Sequence, residues 1–217
     1  MWLPYAISIQ NNTITQPMEG HSMDDLKKII KPLLSFQIEQ KANENGFKMS
    51  CDDLTGNLLR SLVSTKPSGH VLELGTGVGY STCWILDGMD KDSTLISIES
   101  EEQYARIAEQ VLGHDNRLKI IISDGGDFIN DNLGKKYDLI FADTWPGKFY
   151  LLDEALGMLN KTGIFIIDDL NRQDNWPEGH ELKVEELINK LDQRKDLLKL
   201  KMNWSTGIII ITKANVS

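Results

Sequence analysis

Acidic side chains stand at the ends of apolar runs in this chain, and that placement is the first sign of chemistry. The run YDLIFAD closes on Asp143, IFIIDD closes on Asp168 and Asp169, and LISIE closes on Glu99. An earlier run, Val71-Leu72-Glu73-Leu74, feeds into Gly75, Gly77 and Gly79 at every second position. Glycines so spaced let a backbone turn tightly and approach a ligand with no Cβ in the way. Three carboxylates gathered at one edge have two physical outcomes. Without counter-charge they repel one another and hold their protons more tightly, or a hard divalent cation such as Mg²⁺ takes them as oxygen ligands. The favoured reading is the cation, at Asp143, Asp168 and Asp169, with a metal-free polar pocket as the alternative.

The glycine loop can be tested against a dinucleotide. That ligand asks for G-x-G-x-x-G, whose third glycine allows the close helix approach that meets a pyrophosphate. Counting from Gly75 the third place holds Tyr80, and from Gly77 it holds Thr82, so the fingerprint fails in both registers. A plain tight turn between strand and helix remains the bland reading of the loop. Glu99, with Ser100 beside it, stands where a strand-end acid accepts hydrogen bonds from ribose hydroxyls, which fits an adenosine-type ligand. Asp124, in ISDGGD, also reads as an Asx turn on physical grounds.

These residues need elements to hold them. Nearly continuous apolar runs separated by helical patterns predict a parallel sheet covered on both faces. Strands are expected at Val71–Leu74, Thr94–Glu99, Leu118–Ser123, Tyr137–Asp143, Gly163–Asp168, Leu197–Met202 and Gly207–Thr212. Helices are expected near Ser81–Leu86, Glu101–Leu112, Gly126–Asn130, Tyr150–Leu159 and Glu181–Leu191. The short link Asn203–Thr206 makes the last two strands antiparallel. Met1–Gly20, punctuated by Pro4 and Pro17, reads as an extended arm. A helix from Ser22, with Leu26, Ile29, Ile30 and Leu33 at helical spacing, and a second over Asp52–Val63 are expected to cap the carboxyl edge of the sheet.

Composition narrows the classes. With 217 residues and 41% hydrophobic content, a single α/β domain can bury its own core. It divides into an arm and helical cap over 1–66 and a core over 67–217. The net charge of −9 repels a phosphate backbone, and the Lys190–Lys201 segment is too mixed with acids to offset it, so nucleic acid is disfavoured as a partner. Two cysteines, Cys51 and Cys83, lack metal-ligand spacing and fit a reducing, cytoplasmic setting. No apolar run approaches the roughly 18 residues of a membrane span, and the start shows no export signal.

Glu73-x-Gly75-x-Gly77-x-Gly79 resembles motif I of class I S-adenosylmethionine (SAM) methyltransferases. Over roughly Phe47 to Lys213 the chain is similar to the catechol and caffeoyl-coenzyme A type of metal-dependent O-methyltransferase. The resemblance implies a Rossmann-like α/β fold of seven strands with an antiparallel terminal strand. It implies cofactor contacts at Met49 and Cys51, at Gly75, Gly77, Tyr80 and Ser81, at Glu99 for ribose, and at Asp124 with Gly125 for adenine. Asp143 becomes the first metal ligand, Trp145 an aromatic beside the adenine, and Asp168 with Asp169 the metal pair. A homodimer and a small hydroxylated acceptor, aromatic or catechol-like, follow from the same resemblance.

Two departures bear on mechanism. Asp169 replaces the family's usual asparagine, and Pro146 stands where the family often has its catalytic lysine. Lys148 and His180 are therefore the base candidates, and Trp176 and Pro177 could wall an aromatic acceptor. Metal-assisted methyl transfer to a small hydroxyl compound is the leading function. A hydroxylated tRNA base as acceptor, and a non-catalytic or NAD-dependent nucleotide-binding protein, stay as alternatives.

Overall fold

A computed structural model describes residues 28–174 and 176–214. The expected arm over Met1–Gly20 lies outside them. Seven strands, β1 (His70–Leu74), β2 (Thr94–Glu99), β3 (Leu118–Ile122), β4 (Tyr137–Ala142), β5 (Leu159–Ile167), β6 (Leu197–Met202) and β7 (Ile208–Lys213), form one sheet ordered β3-β2-β1-β4-β5-β7-β6. The first five run parallel, while β7 inserts antiparallel between β5 and β6.

Alternation along the central strands divides two cores. Val71, Leu139, Phe141 and Ile166 point to one face with Trp84 and Leu59. Leu72, Leu74, Ile140, Phe165 and Ile167 point to the other with Phe128, Leu156 and Leu187. Full burial of such side chains stabilises by about 1.5–3 kcal/mol each, so the central strands anchor the sheet. The carboxyl tips of β1, β2, β4 and β5 are fixed by that packing.

The first face is covered by α1 (Ser35–Glu44), α2 (Asp53–Val63), α3 (Tyr80–Gly88) and α4 (Glu102–Leu112). The second is covered by α5 (Gly125–Asp131), α6 (Leu152–Gly157) and α7 (His180–Gln193). Helix α2 packs so closely on α3 that a Cβ on Gly56 would meet the Trp84 ring at 2.5 Å. Helix α1 packs on α3 and α4. Among the described residues the expected cap over the sheet edge is thus a face layer instead, and the connection over 45–52 reaches the edge.

Two other elements differ from expectation. The described part of the helix expected from Ser22 is not helical: α1 begins at Ser35, after Pro32, whose carbonyl accepts from the Ser35 N–H at 3.0 Å. Proline cannot extend an incoming helix, and Ile30 and Leu33, 78% and 91% exposed, show that their helical spacing serves no buried face. Helix α6 is shorter than expected, because Leu159 already starts β5, pairing with Tyr137 across a register shift.

Candidate active site

The turn after β1 is held from below and from the side. The N–H groups of Gly75 and Thr76 both donate to Ile98 O, at 3.0 and 3.1 Å, and the Gly77 N–H donates to Glu99 Oε2 at 2.7 Å. Gly77 has φ +52°, and a Cβ there would stand 2.7 Å from the Phe47 ring. Glu99 Oε1 accepts from the Glu101 N–H at 3.0 Å, so the strand-two acid is locked in orientation at the tip of its strand. Such an acid retains lone pairs for further hydroxyl donors.

A cleft of about 520 Å³ runs across the four strand tips. One end is lined by Phe47, Met49, Gly75, Gly77, Glu99 and Tyr104, with the Phe47 and Tyr104 rings edge-on at 4.7 Å. This size, the bare glycine backbone and the fixed acid fit a nucleoside-type cofactor such as SAM. The other end is lined by Asp143, Asp168, Asp169, Lys148, Trp145, Trp176 and His180.

At that acidic end Asp169 and one oxygen of Asp168 are already hydrogen-bonded. Asp168, 1% exposed, accepts from the Asp169 N–H at 2.7 Å and from the Thr206 hydroxyl. Both carboxylate oxygens of Asp169 face the Trp176 Nε1–H, at 2.9 and 3.0 Å. Lys148, 3% exposed, directs its Nζ to the carbonyl oxygen of Asp169 at 3.2 Å. Among the described residues no group of three His, Cys, Asp or Glu side chains is gathered so as to hold a metal ion. The expected trio therefore shares one cleft without being gathered as a ligand set. In this arrangement the donor set does not fit a divalent cation.

Burial sets the protonation here. It pushes the Asp143 carboxyl well above its ordinary range, with Asp168 reinforcing and Lys148 opposing. Burial likewise raises Asp168 to about 6, against hydrogen bonds from Thr206 and the Asp169 N–H. It pulls the Lys148 ammonium below its ordinary value, while Asp143, Asp169 and Asp168 push the other way. The His180 imidazolium is disfavoured by burial and then by Lys148.

His180 is 5% exposed, and neither ring nitrogen has a hydrogen-bond partner. Its Nε2 lies 3.8 Å from Asp169 Oδ2, beyond hydrogen-bond distance. Three aromatic rings surround it: Trp176 at 4.4 Å, Phe149 at 5.1 Å and Trp145 at 6.3 Å between centroids. The imidazole starts α7, after Gly179 with φ +80°.

Most of the expected site residues meet in this cleft: Met49, Gly75, Gly77, Tyr80, Ser81, Glu99, Ser100, Asp143, Trp145, Lys148, Asp168, Asp169 and His180 all line it. Four do not. Glu73 is fully buried and accepts from Ser81, Thr82 and Ser97, joining β1 to α3 and β2. Gly79 caps α3 with φ +97° and allows contact with α4, where a Cβ would stand 3.0 Å from Leu112. Asp124 spends its carboxylate on the Gly126 and Asp127 N–H groups as the N-cap of α5, and Gly125 packs on Pro146.

Sequence reasoning missed Phe47, Tyr104 and Thr206. Phe47 and Tyr104 carry no local signal. Thr206, within a short inter-strand turn, becomes visible only once β7 is seated beside β5.

The fold is that of the class I methyltransferases, a Rossmann-like sheet with a reversed terminal strand. It superposes on the O-methyltransferase TomG from Streptomyces achromogenes, solved with SAM, at a TM-score of 0.75 with 19% identity, covering 87% of this chain and 93% of that one. An O-methyltransferase from Bacillus cereus, solved with SAH, gives 0.74 and 19% over 87% and 94%. Residues 72–170 match the methyltransferase domain family. Homologues in sequence include catechol O-methyltransferase B of Danio rerio, 31% identical over 144 residues, or 61% of this chain and 54% of that protein. The chain spans about half the length of the curated relatives it matches.

Proposed function

We propose that this chain is a SAM-dependent O-methyltransferase acting on a hydroxyl of a small, aromatic acceptor. One observation carries the reading: a single cleft joins the glycine loop and Glu99 to a buried pocket of Lys148, His180 and aromatic rings. SAM bound at the glycine loop supplies an electrophilic methyl group on a sulfonium.

The residues opposite it then have separate tasks. His180, neutral because burial disfavours its charged form, accepts the proton of the acceptor hydroxyl. The Lys148 ammonium steadies the negative charge that develops on that oxygen, an effect strengthened in a water-poor pocket. Trp145 and Trp176 flank the acceptor ring, and holding both reactants in line lowers the barrier by up to about 7–11 kcal/mol in favourable cases. The divalent cation expected from the sequence takes no step here, because the three acids are not gathered as a ligand set in this arrangement.

Calorimetry with SAM and with NAD tests the cofactor, and product formation with 3,4-dihydroxybenzoate tests the transfer. Selective binding of NAD would overturn the reading.

A further inference from the structure

We propose that Asp169 is a positioning residue for His180: its carboxylate takes the imidazole Nε2–H, so that Nδ1 is the nitrogen left to receive the acceptor's proton. The part this plays in transfer rests on the methyltransferase reading above, whereas the pairing of acid and imidazole rests on geometry alone.

The histidine stands in the cleft with both ring nitrogens unspent. It is 5% exposed, and neither nitrogen has a hydrogen-bond partner. A neutral imidazole carries one N–H and one lone pair, and each is costly to leave unmet away from water. The rings of Trp145, Phe149 and Trp176 around it offer no acceptor for that N–H. Among the described residues Asp169 is the one acid paired with it, with Oδ2 3.8 Å from Nε2. Catalytic hydrogen bonds are often long before the acceptor arrives and shorten when it binds, and here a shift of about 1 Å suffices.

The acid is held for this task. Asp169 has φ +58°, and the Trp176 Nε1–H faces both its oxygens, at 3.0 and 2.9 Å. A carboxylate has about four lone-pair sites, so one shared donor leaves room for the Nε2–H. The same indole lies 4.4 Å from the imidazole between centroids and limits where that ring can turn. An asparagine here, the usual residue of the resembling family, would give its oxygen to the indole and turn an amide N–H toward Nε2. That would favour the opposite tautomer, with the proton on Nδ1.

In the transfer step the acceptor O–H proton passes to Nδ1. The electron pair it leaves on oxygen bonds to the electrophilic methyl, whose bond to sulfur breaks with its electrons staying on sulfur. The imidazolium keeps its Nε2–H on Asp169 and afterwards releases the other proton to water.

Nitrogen NMR of the full chain carrying labelled histidine, with the His180 signals assigned by their loss in His180→Gln, reads the tautomer directly. The unaltered protein, alone and with SAH and 3,4-dihydroxybenzoate, is expected to carry the proton on Nε2, and Asp169→Asn to carry it on Nδ1. Asp169→Asn is also expected to lower kcat by about 10²–10⁴ with SAM affinity unchanged, and to lower it no further in the His180→Gln background. A proton on Nδ1 in the unaltered protein overturns the proposal. Losses that multiply in the double variant overturn it too, since an acid with a merely structural role would give that result. Should Asp169→Asn fail to fold, the tautomer of the unaltered protein still decides. Should the unaltered protein transfer no methyl group from SAM, the methyltransferase reading falls, and the tautomer of the ligand-free protein decides the pairing on its own.

Discussion

The indole N–H of Trp176 bridges both carboxylate oxygens of Asp169, at 2.9 and 3.0 Å. One donor thus fixes an acid whose backbone is itself left-handed, at φ +58°. A hydrogen bond to a charged group contributes about 1.5–3 kcal/mol, so its loss would loosen the acceptor wall. Trp176→Phe is expected to raise the KM for 3,4-dihydroxybenzoate by about tenfold or more while leaving SAM affinity unchanged. Equal losses in both affinities would count against a wall that serves the acceptor alone.

The glycines of the turn separate into two kinds. Gly77→Ala forces a Cβ toward the Phe47 ring inside the cleft, and is expected to weaken SAM binding about tenfold or more, read by calorimetry. Gly79→Ala strains the start of α3 at φ +97° and presses on Leu112 and Ala108 outside the cleft. Its cost is expected in the melting temperature, about 1–3 kcal/mol, with SAM affinity nearly intact in the folded fraction.

Glu73 makes stability pH-dependent. Burial outweighs its three hydroxyl partners and raises its pKa from 4.5 to about 7. A raised folded-state value means that its stabilising contribution is complete below about pH 4.5 and is lost as pH rises to about 7, a change of about 3 kcal/mol. Chemical denaturation across that window should show the decline, and Glu73→Gln should flatten it. A slope unchanged in Glu73→Gln would assign the effect to another group.

His180 has the opposite sign. Its folded pKa is held below 6.5, so the neutral ring is favoured and its contribution is lost as pH falls below that value. The kcat profile is expected to rise through an inflection below pH 6.5. His180→Gln should abolish that inflection and lower kcat by about 10²–10⁴, the usual range for a general base. An inflection that persists in the variant would place the base elsewhere.

The strands and their acidic tips were legible in the sequence because they obey local rules. Apolar runs in a parallel sheet are nearly unbroken, and Glu99, Asp143 and Asp168 follow them directly. Glu73 and Asp124 read as ligand contacts yet do not line the cleft, for one reason: a carboxylate beside a binding loop looks alike whether it meets a ligand or meets backbone and hydroxyl donors. Only the positions of Ser81, Ser97 and Gly126 decide between them. Lys148 looked out of register because sequence counting assumes a regular path, whereas Gly147 folds that path back on itself. The start of α1 was hidden by Ile30 and Leu33, whose helical spacing survives beside a proline that ends it.

The turn between β6 and β7 reaches in two directions. Thr206 holds Asp168, while the Ser205 hydroxyl donates to Asp52 at 2.5 Å and lies 3.1 Å from the Thr55 hydroxyl at the start of α2. Segments more than 150 positions apart in the chain are thereby fastened to one acid of the cleft. A nascent chain released before β6 would possess the glycine turn, Glu99 and His180, yet lack the clasp that orients Asp168. The pocket is therefore finished only when the hairpin of β6 and β7 is made.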